Sequence, residues 1–170
     1  ISRDTERKAV QDHVKEGILV QRHGSGTFVA TRAQRVEQSL SRLTSFPEDM
    51  ARRGKHHSSR FLERGVFTPS PDEMMVLGLS AGERVARLSR LRIADGMPRA
   101  IERASLSAAV LPDPESVGSS LYAALEERDA RPVRALQRIS AANLGEAYAA
   151  LLAVPAGAAG LNIERISYLA

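Results

Sequence analysis

Arg90 and Arg92 stand two residues apart in an apolar run, Val85 to Ile93, that stops at Asp95-Gly96. In a strand this spacing projects both guanidiniums from one face and leaves Leu91 and Ile93 on the other. Two guanidiniums converging on one side of a sheet can grip a phosphate or a carboxylate bidentately. Glu102 falls on the strand expected to return from that turn, where its carboxylate can accept from sugar hydroxyls or pair with either arginine. Ser105, Arg134, Arg138 and Ser140 are further polar candidates on neighbouring strands. The same pattern also describes a solvated sheet face, with cross-strand Arg–Glu pairs worth about 0.2–1 kcal/mol each.

A second set of chemistry-bearing residues lies at the start of the chain. Arg3, Thr5 and Arg7 open a segment of helical composition, Arg3 to Glu16, with Ser2 as its N-cap and Gly17 as its C-cap. Basic and hydroxyl groups at the start of such a helix can meet phosphates and base edges in a DNA major groove. Arg22, His23 and Gly24 follow in a polar, glycine-containing turn between two short apolar strands, Ile18 to Val20 and Thr27 to Val29. A helix followed by a basic-tipped hairpin is the second half of a winged helix-turn-helix. It is equally the pattern of any small helix–hairpin unit with a solvated basic face.

Other chemistry is largely excluded. The chain has no Cys, which removes disulfides, thiolate metal sites and Cys nucleophiles. His56 and His57 are adjacent, a spacing that points side chains to opposite faces of a strand, and no other His pair has metal-ligand spacing. They read as loop residues, with no metal, no cofactor and no catalytic group assigned. Aromatic residues are only 4% of the chain and Trp is absent, which argues against a base-stacking platform for single-stranded nucleic acid. The net charge of +4 fits a polyanionic partner without establishing one. No apolar run is long enough for a membrane span and no signal-peptide pattern opens the chain, so a soluble, cytoplasmic protein is expected.

The elements that must position these residues are legible in outline. Residues 1–30 read as the helix–hairpin unit, 31–42 as a polar linker, and 43–170 as an α+β domain. Ser45 followed by Glu48 is a capping box, opening a helix from Pro47 to Arg53 that ends at Gly54. Backbone N–H groups at such a start can hold an anion, although capping accounts for the same residues. An internal repeat then appears: Leu77-Gly78-Leu79-Ser80-Ala81-Gly82 recurs as Leu152-Ala153-Val154-Pro155-Ala156-Gly157, and Leu88, Arg90 and Leu91 recur as Ile163, Arg165 and Ile166. Each copy predicts a helix (Pro71 to Leu77; Gly145 to Leu152), a glycine turn and a strand. The first strand turns at Asp95-Gly96 and returns over Arg99 to Leu106. The second runs to Tyr168, and by analogy needs a return strand of about ten residues beyond Ala170. Between the copies, Leu121 to Glu127 predicts a helix burying Leu121, Tyr122 and Leu125, and Arg131 to Ala141 predicts a strand.

Two resemblances follow from these motifs. Ser2-Arg3-Asp4-Thr5, Glu16-Gly17-Ile18-Leu19 and Gly24-Ser25-Gly26-Thr27-Phe28-Val29-Ala30 resemble the end of a GntR-family DNA-binding domain. That resemblance implies contacts to DNA from Arg3, Thr5 and Arg7 on the helix and from Arg22, His23 and Gly24 on the wing. Glu6 and His13 depart from it, standing where the family has apolar residues that pack against preceding helices. Those helices are not in the chain, so either upstream sequence is missing from it or the DNA-binding half is degenerate. Leu43 to Met50, Leu77-Gly78-Leu79, Arg90 to Gly96, Ile101-Glu102-Arg103, Gln137 to Ala141 and Ile163-Glu164-Arg165 resemble the UTRA effector-sensing domain of GntR regulators of the HutC subfamily.

The UTRA resemblance implies a chorismate-lyase-like antiparallel sheet domain with helices, a homodimer, and a small-molecule effector that alters affinity for double-stranded operator DNA. It also implies an effector site with arginines at Arg90 and Arg92, a helix-start serine at Ser45 beside Phe46, a glutamate at Glu102, and Ser105, Arg138 and Ser140 as further contacts. A small anion such as a phosphorylated sugar or a sugar acid is the expected ligand, and a repressor the expected role. The two alternatives are a lyase-like enzyme on the same fold and a sensor domain that has lost DNA binding.

Overall fold

The computed structural model describes residues 3–15, 18–29 and 43–170. The expected caps Ser2 and Gly17 and the linker at 31–42 lie outside the described residues. The chain divides into two units, Ile1–Leu40 and Ser41–Ala170.

The first unit contains α1 (Arg3–Lys15), β1 (Leu19–Arg22) and β2 (Gly26–Val29). The two strands pair antiparallel from Leu19 opposite Val29 to Arg22 opposite Gly26. Gly24 and Gly26 sit at φ 74° and 106°, with open space where a methyl group would stand, so backbone conformation rather than crowding calls for glycine here.

The second unit is built on a three-stranded antiparallel sheet of β3 (His57–Phe67), β4 (Val85–Ala94) and β5 (Met97–Ser107), with β4 in the middle. His56 lies in the loop before β3, as expected, whereas His57 does not: it is the first residue of this eleven-residue strand. The strand escapes a search for apolar alternation because its inward positions include His57, edge-on to the Phe46 ring, and Ser59, which accepts from Arg92. Asp95 and Gly96, at φ 50° and 76°, make the tight β4–β5 turn. The Asp95 carboxylate accepts from Lys55 Nζ at 2.7 Å and from the His56 amide at 3.1 Å, tying this turn to the start of β3.

Register divides the sheet into two faces. Ala86, Leu88, Arg90 and Arg92 of β4 share one face with Leu106, Ala104, Glu102 and Ala100, their partners on β5. Leu88 and Ala86 join Leu111, Val117, Leu121 and Leu125 in the apolar core, with Phe61, Ala104 and Leu106 packed around them. That face is covered by a 3₁₀ turn (Pro114–Ser116) and by α4 (Leu121–Glu126). Tyr122, expected to be buried, is half-buried instead, with the Arg131 guanidinium 5.7 Å from its ring. On the opposite face, α3 (Pro71–Leu77) is held by Glu73, which bonds to Arg87 of β4 and Ser105 of β5. Helices therefore lie against both faces, and β4 is buried along nearly its whole length.

α2 (Phe46–Arg52) precedes the sheet and carries the expected capping box: Ser45 Oγ accepts from the Glu48 amide, and Glu48 accepts from the Ser45 amide at 2.8 Å. β6 (Arg134–Asn143) and β7 (Ala159–Tyr168) form a separate antiparallel pair, joined through α5 (Glu146–Leu152). The repeat is visible in the backbone. α3 ends at Gly78 (φ 64°) and α5 at Ala153 (φ 55°), both left-handed. Leu79 N–H then bonds back to Met74 at 2.9 Å, and Val154 N–H to Ala149 at 3.0 Å, the same closing bond at equivalent positions.

Candidate functional site

Arg90 and Arg92 project from β4 onto the core-side face, where neither is solvated: they are 1% and 2% exposed. Glu102 lies directly opposite Arg90 across β4–β5. Its Oε1 accepts from Arg90 Nη2, and its Oε2 accepts from Arg92 Nε at 2.6 Å. One carboxylate thus bridges two guanidiniums. Arg92 Nη1 also donates to Ser59 Oγ at 2.7 Å and to the Ser119 carbonyl at 2.9 Å, while Arg90 Nη1 reaches that carbonyl at 3.5 Å. Aromatic rings flank both arginines: the Arg90 guanidinium is 5.9 Å from the Phe61 ring and that of Arg92 is 5.3 Å from the Phe46 ring. A β-bulge at Phe61/Glu63 puts Phe61 and Arg64 on the same face, and Arg64 stacks on Phe61 at 4.4 Å.

The electrostatics are those of a buried, under-neutralised cation pair. Burial pulls the Arg90 guanidinium below its ordinary value, against the attraction of Glu102. Burial pushes the Glu102 carboxyl up, but hydrogen bonding from Arg92 and the fields of both arginines outweigh it and hold the carboxyl below its ordinary value. Arg90 Nε is buried without a hydrogen-bond partner. An unpaired buried donor on a charged group is costly and commonly marks a place where a ligand completes the bonding.

The expected site residues separate into three groups. Arg90, Arg92 and Glu102 converge, and Phe46 reaches them through its ring against Arg92, with Ser45 buried at the start of the same helix. Ser59, Phe61 and the Ser119 carbonyl belong to the cluster and are absent from the sequence reading. Ser59 and Phe61 sit on β3, which apolar alternation does not reveal, and Ser119 enters through its backbone, which no side-chain pattern signals.

Ser105 is not among them. Its register partner is Arg87, which places it on the other face, where its hydroxyl donates to Glu73 at 2.8 Å. Arg138 and Ser140 lie on the exposed β6–β7 pair, with Arg138 3.3 Å from Glu164 across the strands. Arg134, on the same pair, stacks on Tyr168 at 4.5 Å.

In the first unit, Arg3, Thr5 and Arg7 are exposed on α1, and Arg22, His23 and Gly24 are exposed around the β1–β2 turn. The Arg22 guanidinium lies 5.8 Å from the Phe28 ring. Among the described residues, no three His, Asp or Glu side chains are grouped to hold a metal, and no helix is long and apolar enough to cross a membrane. A groove of about 680 Å³ lies between α2 and the approach to β6, lined by Leu43, Thr44, Glu48, Arg131 and Pro132 among others, with neither Arg90 nor Arg92 in its lining. Its charged groups already satisfy one another, with Arg131 2.9 Å from Glu48 and 2.7 Å from Glu126, so the buried cluster is the stronger candidate.

The UTRA domain model matches residues 52–170. The chain is 32% identical over 172 aligned residues to the HTH-type transcriptional repressor NagR of Bacillus subtilis (strain 168), an alignment covering 99% of this chain and 70% of NagR. The chain belongs to the GntR family of UTRA-domain transcriptional regulators. Another member, the HTH-type transcriptional regulator GgaR of Escherichia coli (strain K12), is 29% identical over 83% of this chain and 56% of its own length. This chain thus spans little more than half of that relative. The crystal structure of PhnF from Mycobacterium smegmatis superposes with a TM-score of 0.73 at 26% identity, covering 99% of this chain and 74% of PhnF. The α+β architecture with antiparallel sheets is that of the UTRA domain of GntR regulators. These relatives are named as transcriptional regulators, not as enzymes.

Proposed function

We propose that the chain forms the sensing domain and part of the DNA-binding domain of a cytoplasmic, homodimeric transcriptional repressor. In this reading a small anionic metabolite, such as a phosphorylated sugar or a sugar acid, occupies the Arg90–Arg92–Glu102 cluster and modulates operator binding. The observation that carries it is the buried charge imbalance: two guanidiniums, almost fully removed from water, face one carboxylate, and a donor of Arg90 has no partner. An uncompensated buried charge costs several kcal/mol, of the order of 3–5 when a partner is missing, so the cluster gains from an added anion. Ser45 and Phe46 would close the site from α2. Arg3, Thr5, Arg7, Arg22, His23 and Gly24, all exposed, would contact double-stranded DNA.

A gel shift with the DNA flanking the protein's own gene, titrated with sugar phosphates and sugar acids, tests this directly. The expected result is a retarded complex released by one of these anions in the native protein and not in Arg90→Ala. Calorimetry showing no binding of any such anion, together with unaltered regulation in Arg90→Ala, would overturn the assignment.

A further inference from the structure

Resting on the effector-site reading above, we propose that Glu102 is an internal anion that occupies the arginine pair until a ligand displaces it. By this exchange Glu102 sets a threshold that a monoanionic carboxylate barely offsets and that a phosphoryl dianion, which the arginine pair itself holds more strongly, exceeds. The Glu102 carboxylate already binds as a ligand would, one oxygen on Arg90 and the other on Arg92. The Ser119 carbonyl takes a further donor from each arginine. Among the three charged groups, only Glu102 reaches solvent: its side chain is 33% exposed, against 1% and 3% for the side chains of Arg90 and Arg92. The carboxylate is therefore the member free to swing out, while the arginines are fixed by the sheet and by Phe46 and Phe61.

The exchange favours some ligands over others. A monoanionic carboxylate that replaces Glu102 restores the same net charge with the same two oxygens, so the exchange gains little. A phosphoryl dianion brings a second charge to a site that holds one positive charge in excess. It also brings a third oxygen for Arg90 Nε, the donor left without a partner. Ser59 Oγ, which accepts from Arg92, keeps its own hydrogen free to donate to that group.

Removing the internal competitor should strengthen the binding of both kinds of anion. Isothermal calorimetry would use inorganic phosphate at pH 8, where the dianion dominates, and acetate, on the native protein, Glu102→Gln and Glu102→Asp. In Glu102→Gln, phosphate affinity should rise on the order of tenfold, the scale of one charge-assisted hydrogen bond. Acetate binding should strengthen by a similar factor, because the cost of moving Glu102 aside is common to both anions. Glu102→Asp keeps the charge on a shorter stem that cannot bridge both arginines, and should give a smaller rise in phosphate affinity.

Phosphate binding that is unchanged or weaker in a cooperatively melting Glu102→Gln would overturn the exchange while leaving the anion site standing. Should that variant fail to fold, phosphate affinity at or below native in Glu102→Asp overturns it equally. Phosphate bound by neither the native protein nor a folded variant removes the anion site itself, a different failure.

Discussion

Two glutamates on opposite faces of one sheet do opposite kinds of work. Glu73 is fully engaged: it accepts from the Ser70 amide, from Arg87 Nε at 2.8 Å and Nη2 at 2.5 Å, and from Ser105 at 2.8 Å. Hydrogen bonds from Arg87, opposed by burial and joined by the Ser70 amide and Ser105, hold its carboxyl far below the ordinary value of 4.5. Glu102 is bonded but half open, and shares two cations that outnumber it. The pH consequence is sharper for Glu73. A depressed carboxyl binds fewer protons folded than unfolded, so it stabilises the fold fully above about pH 4.5 and loses that contribution as pH falls below it. Glu73→Gln should therefore cost about 1–3 kcal/mol in urea unfolding at pH 7. Near pH 3 the cost should shrink, because the native protein has by then given up part of the same stabilisation. An equal cost at both pH values would mean that shape, not charge, anchors α3.

At the scale of elements, the sequence discloses what is written locally and loses what depends on partners. The capping box at Ser45–Glu48, the Asp95-Gly96 turn, the spans of α3 and β4 and the repeat all rest on short-range rules, and all are present. Arg90 and Arg92 share a face by strand alternation, but Glu102 meets them only because an irregularity between Arg92 and Ile93 shifts the β4–β5 register by one residue; an unshifted hairpin would set Ile101 opposite Arg90. β3 is not legible, since its inward residues are polar where they meet the arginines, and with it go Ser59 and Phe61. Ser105 reads as a neighbour of the arginines, but its register opposite Arg87 turns it to the other face.

The repeat also makes a stability prediction at this scale. Gly78 and Ala153 occupy equivalent left-handed helix ends, yet only one is glycine. The left-handed conformation costs a residue with Cβ roughly 1 kcal/mol. Gly78→Ala should thus destabilise by about 1 kcal/mol, while Ala153→Gly should stabilise by a few tenths, the relief being partly offset by a more flexible unfolded chain. Chemical denaturation of the pair reads both signs. Destabilisation by both substitutions would show that packing of the Ala153 methyl outweighs its backbone strain.

At the scale of the whole molecule, the division into Ile1–Leu40 and Ser41–Ala170 makes the two proposed activities separable by mutation. Arg3 and Arg7 are four residues apart on an exposed helix face, so both can reach one stretch of DNA backbone or groove. Neither takes part in the apolar core or the arginine cluster of the second unit. Each DNA phosphate that a variant no longer neutralises reduces the dependence of affinity on salt by about one unit of logarithmic slope. On the proposed reading, Arg3→Ala and Arg7→Ala each weaken binding to the flanking DNA and flatten that slope. Each should leave phosphate binding by calorimetry, and the thermal transition of the second unit, as in the native protein. Fluorescence anisotropy across a potassium chloride series measures the slope. A steep slope retained in the double variant would remove α1 from the DNA interface. It would leave the basic turn at Arg22 and His23 as the interface to test next, since a wing on the backbone produces the same salt dependence without a reading helix.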